Sequence, residues 1–426
     1  MSWFTPQRRR WAILALIFAA LVLNYIDRQI VSILKPTLKE EFDLNDGGYA
    51  WLVNVFTVCY ATSYPIVGWL VDRFGARRMM LLGILTWSTA CLGAGLSRSL
   101  GALTAFRGLL GLAEPTAFPA QLKVVTIWFP ASLRATANSM CIAGTSIGAI
   151  IAPPMVAWLA LRHGWHAAFL VPGALGLLIG VLWFSIYRDP PPEVLAENIR
   201  LAGGGEERAF TWPQLWRRRT LWGVLLCRLI SDPVWYFCLF WLPGYLQEKS
   251  GLSLSEVGMV GWIPFLAADL GSIGSSAWSD RLVSRGFTPL RARKIMLTCA
   301  AALAPLCALT PVWPQPWVTL AIFSVVGAAS LSWLFTISVV VAETFPARNV
   351  GSVLGIAAGF GAVGGMAFNY FVGEMMESLG PERIFLVMAL LHPLATIVLW
   401  TMTRRETPDD EINPPLTPLR ASTDDI

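Results

Sequence analysis

Seven charged side chains lie inside long apolar stretches of this sequence, and they are the residues that could do chemistry. They are Asp27, Arg28, Arg107, Glu114, Arg228, Asp232 and Asp269. A charge among apolar side chains is costly unless it has a partner, a cavity or a function. A carboxylate in a partly dry cavity can carry a proton, and an arginine offers a permanent bidentate site for an anion. The set therefore favours proton and anion chemistry.

The spacing of these residues places several of them on shared helix faces. Asn24 precedes Asp27 and Arg28 by three and four residues, so it lies on the same face as both charges. A polar residue also recurs every seven positions, at Arg107, Glu114 and Gln121. Pro115 interrupts the same helix, so we expect a kink beside Glu114.

Two interpretations of these charges remain open for any one residue. In the structural one, Asp27 with an arginine, and Arg107 with Glu114, form neutral pairs that hold helices together. In the functional one, an arginine and an acid share a cavity, and protonation of the acid frees the arginine to bind a substrate carboxylate. We favour function for the set, and the sequence leaves open whether Arg28, Arg107 or Arg228 binds the substrate.

Membrane-spanning helices are predicted to position these residues. Of 426 residues, 55% are hydrophobic and 14% are charged, whereas soluble domains carry about 25% charged residues. Many apolar runs can cross a hydrocarbon core of about 30 Å, and several are apolar on every face, unlike the strands of an outer-membrane barrel. The predicted fold is all-α, with twelve spans near 11–34, 49–70, 79–97, 101–123, 136–160, 166–187, 220–247, 256–279, 292–311, 316–342, 349–376 and 382–403.

These spans are predicted to form two related halves. The expected organisation is a six-helix bundle over 1–188, a cytosolic linker over 189–219, a six-helix bundle over 220–405 and a disordered cytosolic tail over 406–426. Two motifs recur at the same place in each half. Gly68-Trp-Leu-Val-Asp-Arg matches Trp278-Ser-Asp-Arg, and Phe129-Pro-Ala matches Phe345-Pro-Ala. Two repeats at similar separation indicate a duplication.

The first of these motifs is predicted to be a cytosolic gate. Charges at the end of one helix and the start of the next can pair and hold one conformation closed. The gate residues are Gly68, Asp72, Arg73, Arg77, Arg78, Asp280 and Arg281. The alternative is that these basic residues only set the topology, since Lys and Arg concentrate in cytosolic loops. The same bias predicts a multi-pass protein of the cell's inner membrane with both termini in the cytosol.

Several classes of function find no support in the sequence. The net charge of +5 comes mainly from loops between spans, so topology explains it better than nucleic-acid binding. The seven cysteines have no CxxC spacing, and the three histidines form neither a metal motif nor a triad. We therefore expect a monomer that is not an enzyme and holds no metal or cofactor. A G-x-S-x-G match from Gly144 to Gly148 lies within a span, where small residues usually serve helix packing.

Aromatic and amide side chains of the spans are candidates for a cavity wall that contacts a polyol. They are Tyr60, Tyr64, Trp235, Tyr236 and Asn369. Ordinary helix packing is the alternative explanation for each of them.

The sequence resembles the major facilitator superfamily over nearly its whole length, through the 6+6 pattern and the loop motif from Gly68 to Arg78. Within that superfamily it resembles the anion:cation symporter family of sugar-acid transporters, and most closely the hexuronate branch. The segments that carry this resemblance include Asn24 to Arg28, Arg107 to Glu114, Phe118-Pro-Ala, Trp128-Phe-Pro, Ser146 to Pro154, Arg228 to Trp235 and Ala268 to Gly271.

The resemblance implies two pseudo-symmetric bundles and proton-driven uptake of a small carboxylated sugar, such as a hexuronate or aldonate, by alternating access. It implies that Asp27 and Glu114 are the proton-linked acids. Arg28 or Arg107 would then engage the substrate or counter the acids. In the aldonate members, Tyr60 matches a substrate-contacting position.

Some positions match the family less well. Asn369 is a looser match to a substrate-contacting residue. Pro115 follows Glu114 where relatives often carry Ala, and the second half retains only fragments of the loop motif.

The alternative function is a proton-coupled antiporter that exports drugs or metabolites. Export antiporters of this superfamily usually carry G-x-x-x-G-P in the fifth span. This sequence has Gly148-Ala-Ile-Ile-Ala152-Pro153, with Ala at the second glycine, which weighs against export. A membrane enzyme or a sensor without flux has no motif in its favour.

Overall fold

The computed structural model describes residues 6–129, 131–191, 210–378 and 380–404, and the regular elements in these ranges are helical. The first half contains α1 (Pro6–Ile33), α2 (Lys35–Glu41), α3 (Asp46–Phe74), α4 (Ala76–Gly95), α5 (Leu100–Ala113), a 3₁₀ turn (Glu114–Thr116), α6 (Ala117–Trp128), α7 (Ala131–His163) and α8 (Trp165–Ile186). The remainder contains α9 (Trp212–Arg217), α10 (Arg219–Phe240), α11 (Leu242–Glu248), α12 (Leu254–Val260), α13 (Ile263–Ser284), α14 (Pro289–Ala301), a 3₁₀ segment (Ala304–Leu309), α15 (Pro316–Thr344), α16 (Ala347–Ser378) and α17 (Pro381–Met402). Most of the predicted linker and the predicted tail lie outside the described residues.

These helices confirm the predicted all-α membrane fold. Among the described residues, nine segments are long and apolar enough to span a bilayer: Gln7–Ile33, Thr136–His163, Trp165–Ile186, Arg219–Phe240, Leu254–Ser284, Pro289–Leu309, Pro316–Thr344, Asn349–Met376 and Pro381–Met402. The helices α3, α4 and α5–α6 occupy the second, third and fourth predicted spans. On α8, Leu178, Val181 and Phe184 are 54%, 60% and 62% exposed, as expected for side chains that face lipid.

Several predicted spans are interrupted rather than continuous. The seventh span is divided between α10 and α11, and the eighth between α12 and α13. Pro243, Pro264 and Pro305 each occupy one of the first two positions of the segment that follows a break. A missing backbone N–H is tolerated there, since the first N–H groups of a helix have no partner within it. Hydropathy alone does not locate these breaks.

The two halves use the same set of helix contacts. In the first half α1 packs on α7, α3 on α5 and α4 on α8. In the second half α10 packs on α16, α13 on α15 and α14 on α17. These are the same pairs of spans counted within each half, so the duplication predicted from the two motifs is present in the packing.

Glycines allow the closest of these contacts. Gly148 of α7 lies against the Val22 carbonyl of α1, and Gly364 of α16 lies against the Leu229 carbonyl of α10. A Cβ at either position would overlap that carbonyl. The small residues from Gly144 to Gly148 therefore serve close helix packing, as predicted.

The halves meet through α3 with α16 and through α7 with α12 and α13. We call the side on which α1 begins and α17 ends the terminal side. On the side away from it, the opposite side, Gly373 meets Ala50 and Gly258 meets Ala157. The two halves are therefore in contact on the opposite side.

Candidate functional site

A buried ion pair between Arg28 and Glu114 is the centre of the candidate site. Nε of Arg28 lies 2.6 Å from Oε2 of Glu114. The Glu114 side chain is fully buried and that of Arg28 is 10% exposed. Oε1 of Glu114 and Nη2 of Arg28 have no hydrogen-bond partner among the described residues. The pair therefore has unused capacity for a further donor and acceptor.

A break in the fourth span positions Glu114. Pro115 has no N–H to donate to the Gly111 carbonyl, and the chain changes from α5 to a 3₁₀ turn at Glu114. Ser63 of α3 donates its hydroxyl to that carbonyl at 3.4 Å. The kink expected beside Glu114 is present, and it lies where the acid reaches α1.

Aromatic rings surround the guanidinium of Arg28. The ring centroids of Tyr60, Tyr25 and Phe56 lie 4.6, 5.1 and 5.8 Å from its Cζ. Such contacts stabilise a cation where water is scarce. The structure places Tyr60, predicted to contact substrate, directly against Arg28.

Asp27 has different surroundings from its neighbour Arg28. Asp27 as a whole is 2% exposed, and the Cys91 thiol donates to its Oδ1 at 3.3 Å. It lies close to Phe106 and Phe169 in the packed core of the first half. The two consecutive residues therefore point to different places, Asp27 into the first half and Arg28 towards Glu114.

Arg107 contacts the backbone of Asp27 and, among the described residues, forms no ion pair with the carboxylate of Asp27 or of Glu114. Its Nη1 donates to the Asp27 backbone carbonyl at 3.2 Å, and its Cζ lies 4.6 Å from the Phe56 ring centroid. Its Nε and Nη2 have no hydrogen-bond partner among the described residues. The structural interpretation in which Arg107 pairs with Glu114 is wrong, because Glu114 takes Arg28 as its partner across 86 residues of sequence.

The second half holds a similar pair on one helix. Nη2 of Arg228 lies 2.8 Å from Oδ2 of Asp232, one helical turn away on α10. Nη1 of Arg228 also donates to the Leu334 carbonyl at 3.3 Å. Gly361 of α16 covers the pair so closely that a Cβ there would overlap the Asp232 carboxylate. The spacing of four residues was the sequence signal that could have identified this pair.

A small cavity lies between the halves, and the Tyr25 ring in its wall lies 5.1 Å from the Arg28 guanidinium. Hydroxyl groups line one wall and aromatic rings with a carboxylate line the other: Tyr25, Thr145 and Ser146 from the first half, and Trp235, Phe265 and Asp269 from the second. Ser146 donates its hydroxyl to Oδ1 of Asp269 at 2.6 Å, which joins the two halves. Trp235, a predicted cavity residue, is placed in the wall. Ser146 and Asp269 are 123 residues apart, so no local pattern in the sequence connects them.

Asn369 is buried on the opposite side. Its Oδ1 accepts from Nε1 of Trp241 at 3.0 Å, and its Nδ2 has no partner among the described residues. It does not line the cavity beside Arg28. A substrate contact for Asn369 therefore stays a prediction.

Four charged residues, which we call the ion cluster, join the halves on the opposite side. They are Lys35, Lys39, Asp46 and Glu248. Nζ of Lys35 lies 2.7 Å from Asp46 and 2.6 Å from Glu248, and its side chain is 1% exposed. Nζ of Lys39 lies 3.1 and 3.2 Å from the same two carboxylates. Because Glu248 belongs to α11 and the others to the first half, the cluster closes this side.

The predicted gate residues lie on the terminal side. Asp280 accepts from Nη1 of Arg293 at 2.6 Å, and Nη2 of Arg293 lies 3.1 Å from Glu343. The Arg73 guanidinium lies 5.1 Å from the Trp69 ring, and the Arg77 carbonyl accepts from Trp183. Gly68, Arg78 and Arg281 occupy helix segments beside them, and the side chain of Asp72 lies outside the described residues. Asp280 is thus paired within the second half, and a gating role stays a prediction.

The sequence profile of the Major Facilitator Superfamily matches residues 17–291 and 288–423. The chain therefore belongs to this superfamily of membrane transporters. Among curated relatives, the hexuronate transporter of Escherichia coli strain K12 is 28% identical over 409 residues, which cover 93% of this chain and 94% of the relative. The galacturonate transporter of Dickeya chrysanthemi is 30% identical over 313 residues, covering 70% and 90%.

Solved structures agree on the fold. The crystal structure of a D-xylose-proton symporter matches with a TM-score of 0.76 and 15% identity, covering 93% of this chain and 98% of that one. At that identity the likeness shows the fold alone. The family model and the relatives together confirm the predicted resemblance to sugar-acid transporters.

Proposed function

We propose that this chain is a proton-coupled symporter that imports a small organic anion, a sugar acid such as a hexuronate, by alternating access. The observation that carries the proposal is the buried pair in which Arg28 Nε lies 2.6 Å from Glu114 Oε2, beside the cavity between the halves. The names of the sugar-acid relatives support the substrate class.

Charge balance couples the proton to the substrate. In the empty carrier Glu114 neutralises Arg28. A proton on Glu114 removes that negative charge and leaves Arg28 as a cation in surroundings that disfavour an unpaired charge. The substrate carboxylate then takes the place of Glu114 and binds the guanidinium through two charge-assisted hydrogen bonds. The site is neutral when it is empty, and it is neutral again when it holds one proton and one substrate carboxylate. The proton and the substrate therefore cross together.

Asp27 is proposed to be the second proton-linked acid. It lies in the core of the first half, where Cys91 donates to its carboxylate and Arg107 holds its backbone carbonyl. Arg107 then counters the Asp27 charge and positions the α1 segment that carries Arg28. In this proposal the substrate carboxylate binds Arg28 rather than Arg107, and Arg228 stays paired with Asp232.

Alternating access requires the halves to separate on one side as they close on the other. We propose that the bundles over 1–188 and 220–405 move against each other, with 189–219 as the linker and 406–426 as a tail. The ion cluster then closes the outer side, and the motif from Gly68 to Arg78 with Asp280 and Arg281 forms the cytosolic gate. The terminal side is proposed to face the cytosol, in a monomer of the inner membrane.

Uptake into proteoliposomes tests this proposal. With acid outside, labelled galacturonate should accumulate above its external concentration, and a protonophore should abolish the accumulation. A panel of hexuronates and aldonates without any uptake would show the substrate class to be wrong. Accumulation driven only by an acidic interior would instead show an antiporter.

A further inference from the structure

The cavity beside Arg28 has two chemically different ends. Tyr25 lines the cavity and its ring lies 5.1 Å from the Arg28 guanidinium, so a cation lies behind this part of the first-half wall. Asp269 lines the other wall. Among the described residues, it is the only charged side chain that lines the cavity. The cavity therefore has a cation behind its first-half wall and a carboxylate in its second-half wall.

The negative end is built to accept hydrogen bonds. An ionised carboxylate is an acceptor only, and Ser146 now donates to Asp269 across 2.6 Å. Two neighbouring hydroxyls of a sugar can donate to the same carboxylate. The Ser146 hydroxyl can then accept a hydrogen bond from the next substrate hydroxyl, or donate one to it. Trp235 and Phe265 pack edge to face with ring centroids 6.2 Å apart, and offer an apolar surface for the C–H groups of a sugar ring.

Among the described residues, a second carboxylate finds no cation at this end that is not already paired with an acid. Arg228 is 2.8 Å from Asp232 on the same helix, and Gly361 of the neighbouring α16 covers this pair. Arg228 is also not among the residues that line the cavity. An anionic group beside Asp269 would meet an uncompensated like charge.

We propose that Asp269 and Ser146 form a hydroxyl-binding subsite that selects sugar monocarboxylates and rejects sugar dicarboxylates. The inference rests on the proposed function, since it assumes that Arg28 binds the substrate carboxylate. The sugar acid then lies with its carboxylate in the first half and its hydroxyls in the second. Substrate hydroxyls replace the Ser146 hydrogen bond to Asp269, so the ligand bridges the two halves in its place.

Galactonate and galactarate give the sharpest test, because both are open-chain acids with the same hydroxyl configuration and differ by a second carboxylate at the other end. Exchange of labelled galacturonate in proteoliposomes is measured against each unlabelled compound. In the wild type, galactarate should compete at least about tenfold more weakly than galactonate. In Asp269→Asn this ratio should fall several-fold, while Glu382→Gln, an exposed acid at the start of α17, should behave as the wild type.

The outcomes separate the two proposals. If the wild type exchanges no sugar acid, the proposed function fails and the subsite fails with it. If galactarate competes for the wild-type carrier as well as galactonate does, the subsite alone is wrong, and this result needs no variant to fold. If Asp269→Asn weakens competition by both compounds equally, their ratio is unchanged. That result would show that Asp269 only holds the halves together.

Discussion

Lys35 of the first half and Glu248 of the second are joined by an ion pair of 2.6 Å on the side away from the chain termini. The Lys35 side chain is 1% exposed and also contacts Asp46 at 2.7 Å. Removal of one partner from a buried pair leaves the other charge uncompensated. This costs more free energy than removal of one partner from a surface pair. The pair therefore stabilises the conformation in which this side is closed.

Glu248→Gln should shift the protein towards opening on this side. Spin labels at Glu41 and Lys249, two exposed positions in different halves, report the separation there once the native cysteines are replaced. The variant should show a larger population at long distance than the wild type. An unchanged distance distribution would mean that contacts such as Gly373 with Ala50 hold this side closed without the cluster.

The ion cluster should not respond to pH in the physiological range. Burial alone would raise the pKa of Asp46, but the ammonium groups of Lys35 and Lys39 lower it below its usual value. A carboxyl with a lowered pKa stabilises the paired, closed form at any pH above its usual pKa of about 4. This stabilisation is lost only at more acidic pH. The label distances should therefore agree between about pH 5 and about pH 8. Opening within that window would place a titrating group in the cluster.

Close packing of α7 on α1 should depend on Gly148. A Cβ there would overlap the Val22 carbonyl, whereas a Cβ at Gly355 meets no atom within 4 Å. Gly148→Ala should destabilise the protein by about 1–3 kcal/mol, as overpacking does elsewhere. Thermal unfolding of the purified protein measures this, with Gly355→Ala as the matched control. Equal midpoints for the two variants would contradict the packing described for α1 and α7.

The two arginines of the first half should respond differently to replacement by lysine. Arg28→Lys keeps the charge but loses the planar fork that binds a carboxylate through two bonds. Its KM for galacturonate exchange should rise by at least about tenfold, since a charge-assisted hydrogen bond contributes about 1.5–3 kcal/mol. Arg107→Lys should lower thermal stability and maximal rate with little change in KM, because Arg107 contacts Phe56 and the Asp27 backbone. The reverse pattern would show that the substrate carboxylate binds Arg107 instead of Arg28.

The sequence predicted what depends on local pattern. Apolar runs gave the helices, and the repeated Phe-Pro-Ala motif lies at equivalent points, because α7 begins at Ala131 and α16 at Ala347. Arg228 and Asp232 are four residues apart, so their pairing could have been predicted as well.

Contacts between distant segments could not be predicted in this way. Arg28 pairs with Glu114 across 86 residues, and the choice between Arg28 and Arg107 depends on how the chain turns at Pro115. Ser146 and Asp269 are 123 residues apart and belong to different halves. Helix periodicity fixes the face on which each residue lies but not the helix that faces it. These pairs follow from tertiary packing alone.

The proton-coupling role of Glu114 is the central claim, and Glu114→Gln tests it most directly. Glutamine mimics the protonated acid in shape and charge and cannot release a proton. Gradient-driven accumulation and galacturonate exchange are measured in the same proteoliposomes, with Glu382→Gln as the control acid. We expect Glu114→Gln to retain exchange and to lose accumulation, while the control keeps both. Accumulation by Glu114→Gln at the wild-type level would remove Glu114, and with it the Arg28 pair, from the coupling mechanism.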